Sequence, residues 1–235
     1  MDIADVNNDN EIDYLEFKRL LDIKKFGLRN GGNLFVRNAI NFGLLDKNSI
    51  LADGEASVFI GNKGFDPLNC STDIITLKKY KNFDLSFDWK LGKLGNSGVK
   101  YFVEELPVKP AHSSSLIGYE YQLIDDPDFI YNDKHLPEDH KTGALYNMVP
   151  PIKPDVKIGQ WHTSRIVVKG EQIEHWLDNK LIISVNRNSN EFRNGFLQSK
   201  FKSIPGYDKR KEGYILLQDH GHNVAFKNIK IKELD

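Results

Sequence analysis

The stretch Phe83-Asp-Leu-Ser-Phe-Asp-Trp-Lys90 alternates apolar and polar residues without a break. Side chains alternate across a strand, so Phe83, Leu85, Phe87 and Trp89 fall on one side and Asp84, Ser86, Asp88 and Lys90 on the other. That pattern describes a half-buried antiparallel strand. Strand-like stretches recur near 98–104, 118–125, 143–149, 162–169, 172–177, 181–186, 213–218 and 224–231, and Asp178-Asn179 between two of them is a two-residue hairpin turn. Many short strands with turn signals and no convincing long helix argue an all-β sandwich. Two long connections interrupt the strands, about 126–141 and 188–212. Their tyrosines, phenylalanines, histidines and carboxylates favour ordered loops that wall a site.

The 235 residues suit one large β domain, or one with a small appendage. The net charge of -1 leaves no electrostatic footprint for nucleic acid or an anionic membrane. No apolar run approaches the ~20 residues that span a bilayer, and the polar N-terminus carries no secretory signal. Cys70 is the only cysteine and cannot form an internal disulfide.

Asp5-Val-Asn-Asn-Asp-Asn-Glu-Ile-Asp-Tyr-Leu-Glu16 fits a twelve-position calcium loop. Asp5, Asn7 and Asp9 supply side-chain oxygens, Glu11 its carbonyl, Asp13 the ninth position and Glu16 a bidentate carboxylate, and hard oxygen ligands at this spacing suit Ca²⁺. Asn10 replaces the usual glycine, and a helix after the loop is expected from Phe17, Leu20 and Leu21. Only four residues precede Asp5, so the first helix of an EF-hand is missing. The expectation is an EF-hand-like segment over 1–30, cut from a longer protein, followed by a β domain over 31–235.

Gly118-Tyr-Glu-Tyr-Gln-Leu-Ile-Asp-Asp126 reads as a strand with Tyr119, Tyr121 and Leu123 on one face and Glu120, Gln122 and Ile124 on the other. A carboxylate and an amide side by side on a sheet need partners or a ligand. Glu174 and Trp176 share a face of the 172–177 strand, with His175 opposite. Gln218 and His220 share a face at the end of 213–218, with Asp219 opposite, and Arg165 sits among Ile166, Val167 and Val168. Taken together these residues form a constellation on one sheet surface, suited to sugar stacking on the indole and to acid–base chemistry. The alternative for Arg165 and Glu174 is a structural ion pair between neighbouring strands.

Asn96-Ser-Gly-Val99, Glu120-Tyr-Gln-Leu-Ile-Asp-Asp126, His140-Lys-Thr-Gly-Ala-Leu-Tyr146, Gln160-Trp-His-Thr-Ser-Arg-Ile-Val-Val168, Glu174-His-Trp-Leu177, Leu217-Gln-Asp-His-Gly221 and Val224-Ala-Phe-Lys-Asn-Ile-Lys-Ile-Lys232 occur in order. Over about 72–234 the chain resembles the 3-keto-disaccharide hydrolase domain family. That resemblance implies a concanavalin-like, glucanase-like jelly roll, an exported protein, and an enzyme that cleaves glycosides already oxidised at C3. A C3 ketone acidifies the C2 proton, the resulting enolate expels the C1 substituent, and water then adds. His140 or His220 would be the base or a metal ligand, and Glu120 a ligand or acid–base partner. Gln122 and Arg165 would bind sugar oxygens and Trp176 would stack, with Glu174, Gln218, Tyr146 and Asp125 as further substrate contacts. A divalent metal could hold the ketone. The alternatives are a non-catalytic carbohydrate-binding module on the same fold, and a conventional glycoside hydrolase with paired carboxylates.

Overall fold

The computed structural model describes residues 58–60, 73–76, 78–107, 116–131, 134–152, 155–220, 222 and 224–235. The calcium-loop residues Asp5, Asn7, Asp9, Glu11, Asp13 and Glu16, and the boundary at residue 30, lie outside the described residues.

Among these residues, twelve strands and one α-helix follow in order. They are β1 (Val58–Ile60), β2 (Ile74–Ile75), β3 (Phe83–Leu91), β4 (Asn96–Glu105), β5 (Leu116–Ile124), β6 (Ile130–Tyr131), β7 (Lys134–His135), β8 (Trp161–Lys169), β9 (Gln172–Leu177), β10 (Lys180–Asn186), α1 (Asn190–Gln198), β11 (Tyr214–Gln218) and β12 (Val224–Glu233). One sheet has six strands in the order β1-β12-β3-β8-β9-β10, the other four in the order β2-β11-β4-β5, and β6–β7 form a separate ribbon. Neighbours pair antiparallel throughout both sheets. This is the all-β sandwich expected from the strand pattern, with the jelly-roll architecture that the family resemblance implied.

The alternation of β3 holds residue by residue. Phe83, Leu85, Phe87 and Trp89 are buried, and the residues between them are half-buried. They pack against Val99 and Tyr101 of β4 and Tyr119, Tyr121 and Leu123 of β5. Burying one such side chain is worth about 1.5–3 kcal/mol. The aromatic rings meet edge to face, as in Phe83–Tyr101 and Phe87–Tyr121. The polar atoms this traps are satisfied across the interior. Trp89 Nε1 donates to Ser164 Oγ at 2.8 Å, Ser164 Oγ to Tyr121 OH at 2.8 Å, and Tyr121 OH to the Trp176 carbonyl at 3.2 Å. His175 lies 3.0 Å by Nε2 from Tyr101 OH and 2.8 Å by Nδ1 from the Gly143 carbonyl.

Asp178 and Asn179 both have positive φ, 46° and 63°, which makes the β9–β10 connection the tight hairpin expected. The stretch 143–149 departs from expectation. It is a chain of turns beside β5, touching it by an isolated bridge between Tyr121 and Leu145. Gly143 and Asn147 both take positive φ there, which turns the chain within seven residues and interrupts any regular ladder. The segment goes on to β10, where Ile152 N donates to the Ile182 carbonyl at 2.8 Å, so it closes the edge between the two sheets. Within 188–212 the chain forms α1, capped by Ser189, whose hydroxyl accepts the Phe192 N–H. A Cβ at Gly195 would lie 2.2 Å from the Met148 carbonyl, so glycine is what lets α1 pack on the 143–149 turns.

Candidate active site

The outer face of the four-stranded sheet is built from alternate residues of three strands. β4 presents Asn96, Gly98 and Lys100, β5 presents Ile124, Gln122 and Glu120, and β11 presents Gln218. The register sets Lys100 opposite Glu120, and Gly98 between Gln122 on one side and Gln218 on the other. A Cβ at Gly98 would fall 2.5 Å from Glu120 Oε1, so the missing side chain is the space the carboxylate uses. Ser97, pointing the other way, donates to the Gln218 carbonyl at 2.8 Å and locks the end of β11 in place.

With its amide turned to satisfy both neighbours, Gln218 donates to Glu120 Oε1 at 3.0 Å and accepts from Lys100 Nζ at 3.0 Å, and its nitrogen is also 3.0 Å from His220 Nε2. Glu120 and Lys100 are each only 6% exposed. Burial pushes the Glu120 pKa above the usual carboxylate value, and the positive charges of Lys100 and Lys200 restrain the rise. The His220 pKa is pushed down by desolvation, then by Lys100 and His222. Water still reaches the residue, which limits how far that goes.

Two arms hang over this face, one running from His140 through the 143–149 turns and one carrying Lys200 from the 188–212 connection. Tyr146 N donates to the Glu120 carbonyl at 3.0 Å, and Gly143 N to that of Gln122 at 2.8 Å, which fixes the turns against β5. His140 is buried with its ring edge-on to Tyr146 at 4.8 Å. Its Nδ1 lies 2.8 Å from Asp139 Oδ1. That contact holds Asp139 below the usual carboxylate value, so Asp139 is ionised and can only accept, and His140 Nδ1 carries the proton. Lys200 sits over the Tyr146 ring at 4.5 Å. Desolvation lowers its pKa, while Glu120 works against that shift.

The structure brings Glu120, Gln122, Gln218, His220, His140 and Tyr146 together. It does not bring in Arg165, Glu174 and Trp176. These stand on the outer face of the six-stranded sheet, because the inward positions of β8 and β9 are taken by Ser164, Ile166, Ile173 and His175. The structural alternative for Arg165 holds with a different partner: its Nε and Nη2 each bond Asp84 at 2.6 Å. Trp176 donates its indole N–H to Glu174 at 3.0 Å. Asp125 is also placed elsewhere. It falls on the inward phase of β5, and Oδ2 accepts the Leu94 N–H at 2.7 Å, pinning a turn in which Leu94 has φ 54°. Lys100, Lys200 and Asp139 were not singled out in the sequence. Lys100 carried a signal, a lone cation in Val99-Lys-Tyr-Phe-Val103, since a lysine in an apolar strand is rarely buried unless paired.

Among the described residues, no set of three or more His, Cys, Asp and Glu side chains is placed to hold a metal ion. Around Glu120 stand the Lys100 ammonium group, the Gln218 amide and, on the far side of that amide, His220 Nε2, with the Asp73 carboxylate near enough to raise the Glu120 pKa. No helix among the described residues is long and apolar enough to cross a membrane.

The two-layer sandwich thus carries a buried acid, two lysines and two histidines on one outer face. Residues 46–232 match the family described as the 3-keto-alpha-glucoside-1,2-lyase-like domain, and the chain belongs to that family. The match starts earlier than the resemblance over 72–234 suggested, and it includes β1, which pairs with β12 at the edge of the large sheet. A curated relative from Bacteroides thetaiotaomicron, a 3-keto-disaccharide hydrolase, is 28% identical over 186 residues, 69% of this chain and 62% of its own length. The chain thus spans less than two thirds of that relative. A crystal structure from Parabacteroides distasonis, provisionally assigned as a glycosyl hydrolase, is 34% identical with TM-score 0.67, covering 78% of this chain and 85% of that one. A second structure from the same organism, with the same provisional assignment, is 24% identical with TM-score 0.53, covering 79% and 90%; it shares the fold.

Proposed function

We propose that the chain cleaves the glycosidic bond of 3-keto-glycosides by elimination and hydration, as a carbohydrate-active enzyme of the exported class implied by its family. The observation that carries this reading is the buried Lys100–Glu120 pair bridged by Gln218, with the Asp139–His140 pair on the same face. The names of the family and of the Bacteroides relative supply the substrate class.

The roles follow from protonation. His140, with Nδ1–H given to Asp139, presents Nε2 as a lone-pair acceptor and takes the C2 proton. The electron pair moves to the C3 oxygen, where the Lys100 ammonium group, with Lys200 nearby, stabilises the enolate. Glu120, whose raised pKa lets it hold a proton, donates to the leaving C1 oxygen as that bond breaks. Water then adds at C1, the proton returns to C2, and the sum is hydrolysis. Gln122 and His220 are placed to bond sugar hydroxyls. Conventional hydrolysis has less support, because Lys100 and not a second carboxylate stands opposite Glu120.

The test is incubation of the chain with a 3-keto-glucoside and, separately, with the unoxidised glucoside, each with and without chelator. Turnover of the keto sugar alone is expected, and it should survive the chelator. Turnover of only the unoxidised sugar would overturn the reading, and turnover of neither would leave the binding-module alternative. A calcium titration of the same chain tests the Asp5–Glu16 loop.

A further inference from the structure

We propose that Asn147 is the positioning residue of this site, setting the His140 ring through Asp139 and the Lys200 backbone through its own amide. The inference rests on the reading of His140 as the base.

Asn147 lies between the two long connections and is bonded to both. Its backbone N–H donates to the Asp139 carbonyl at 2.8 Å. Its side chain also lies close enough to the Asp139 carboxylate to help hold that group's pKa down. Its Oδ1 accepts the Lys200 N–H at 2.8 Å. An asparagine amide has one acceptor end and one donor end. Here the acceptor takes Lys200, which leaves the donor for the carboxylate. No other charge-neutral side chain of this length offers both ends at once. Asn147 also has φ 58°, a left-handed conformation that asparagine adopts more readily than most residues.

One residue therefore holds the two arms that reach over Glu120. Asp139, steadied by Asn147, holds the proton on His140 Nδ1 and so keeps Nε2 as the acceptor. A hydrogen-bonding partner of this kind fixes the tautomer of a functional histidine. Lys200, steadied through its backbone, keeps its ammonium group over Tyr146 and within reach of the Glu120 charge. The neighbours that face His140 are Asp139 from its own turn, Glu120 from β5 and Tyr146 from the 143–149 turns.

The experiment compares the wild-type chain with Asn147→Gly and Asn147→Asp. Glycine keeps the positive φ and removes both ends of the amide. Aspartate keeps the acceptor for Lys200 and sets a carboxylate against Asp139. Two-dimensional ¹H–¹⁵N spectra of the histidine rings report the tautomer without any substrate, with His140→Gln identifying the His140 signals. The wild type is expected to show His140 protonated on Nδ1, and both variants a mixed or altered state. In turnover of a 3-keto-glucoside, Asn147→Gly is expected to lower kcat about 10- to 100-fold with KM changed less than about threefold, since misplacing a catalytic group by about 1 Å costs on the order of 10²-fold. A wild-type His140 protonated on Nε2, or ring signals unchanged in both variants, would overturn the proposal. Because the spectra need no substrate, absence of keto-sugar turnover in the wild type would count against the proposed function alone.

Discussion

On the outer face of β8 and β9, Arg165 is bonded twice to Asp84 and Trp176 to Glu174, and water reaches all four. On the outer face of β4 and β5, Lys100 and Glu120 sit across one strand gap, share the Gln218 amide, and are almost closed off from water. Both faces hold a cation, carboxylates and a ring. The difference lies in what covers them. The large sheet's face has no arm over it among the described residues, so its ion pair is screened and worth about 0–1 kcal/mol. The small sheet's face is overhung by the 143–149 turns and Lys200. There desolvation raises one carboxylate and lowers one amine, both toward neutral pH, which is how a site makes groups ready to exchange protons.

The sharpest way to break this contrast is Glu120→Gln, which keeps the shape and removes the proton. Loss of a positioned acid lowers turnover by about 10²- to 10⁴-fold. The expected result is that loss in kcat on a 3-keto-glucoside with a lower thermal midpoint, because the buried Lys100 ammonium group loses its counter-charge. Turnover within about threefold of wild type would remove Glu120 from the chemistry and with it the distinction between the faces.

Burial without access gives a different outcome, and His175 separates the two. It is fully buried between the sheets with both nitrogens engaged, and desolvation lowers its pKa from 6.5 to about 4 against the pull of the Gly143 carbonyl. The unfolded chain binds the proton more readily between those values, so stability is full above about pH 6.5 and is lost as pH falls toward 4. A displacement of that size is worth at most about 3 kcal/mol. Urea titrations at pH 7 and pH 4.5 should show that loss, and His175→Gln should flatten it. An equal loss in the two proteins would mean that His175 is not the source.

How far these three regions could be read from sequence follows from the same physics. The strict alternation of Phe83–Lys90 reports one dry face and one wet one, so the sandwich and its core were legible. Glu120, Gln122, Gln218 and His220 were legible as polar residues in phase. Phase within a strand cannot say which sheet the strand joins, and that is why Arg165, Glu174 and Trp176 were grouped with them. β8 pairs with β3 and β9 with β8, whereas β5 pairs with β4, and this pairing is a long-range fact. The 143–149 turns looked like a strand because Ala144, Leu145, Met148 and Val149 are all buried, though by closing a sheet edge and not by joining one. Asp139 and Lys200 were hidden because loop charges are usually solvated, and only their contacts with His140 and Tyr146 set them apart.

The smallest expected effect tests the quiet face. Arg165→Ala removes the bidentate bond to Asp84 and the cation 5.8 Å from the Trp176 ring. Arg165 and Asp84 are both open to solvent, so the change in urea stability should be about 0–1 kcal/mol. Turnover of a 3-keto-glucoside should stay within about twofold, and Trp176→Ala should match it. The pair is informative because these residues look like a sugar platform by type alone. An aromatic ring that stacked on the reacting sugar would raise KM sharply when truncated, whereas one that only rests against its own strand would not. A tenfold or larger rise in KM in either variant would place part of the substrate on the large sheet and dissolve the contrast between the two faces.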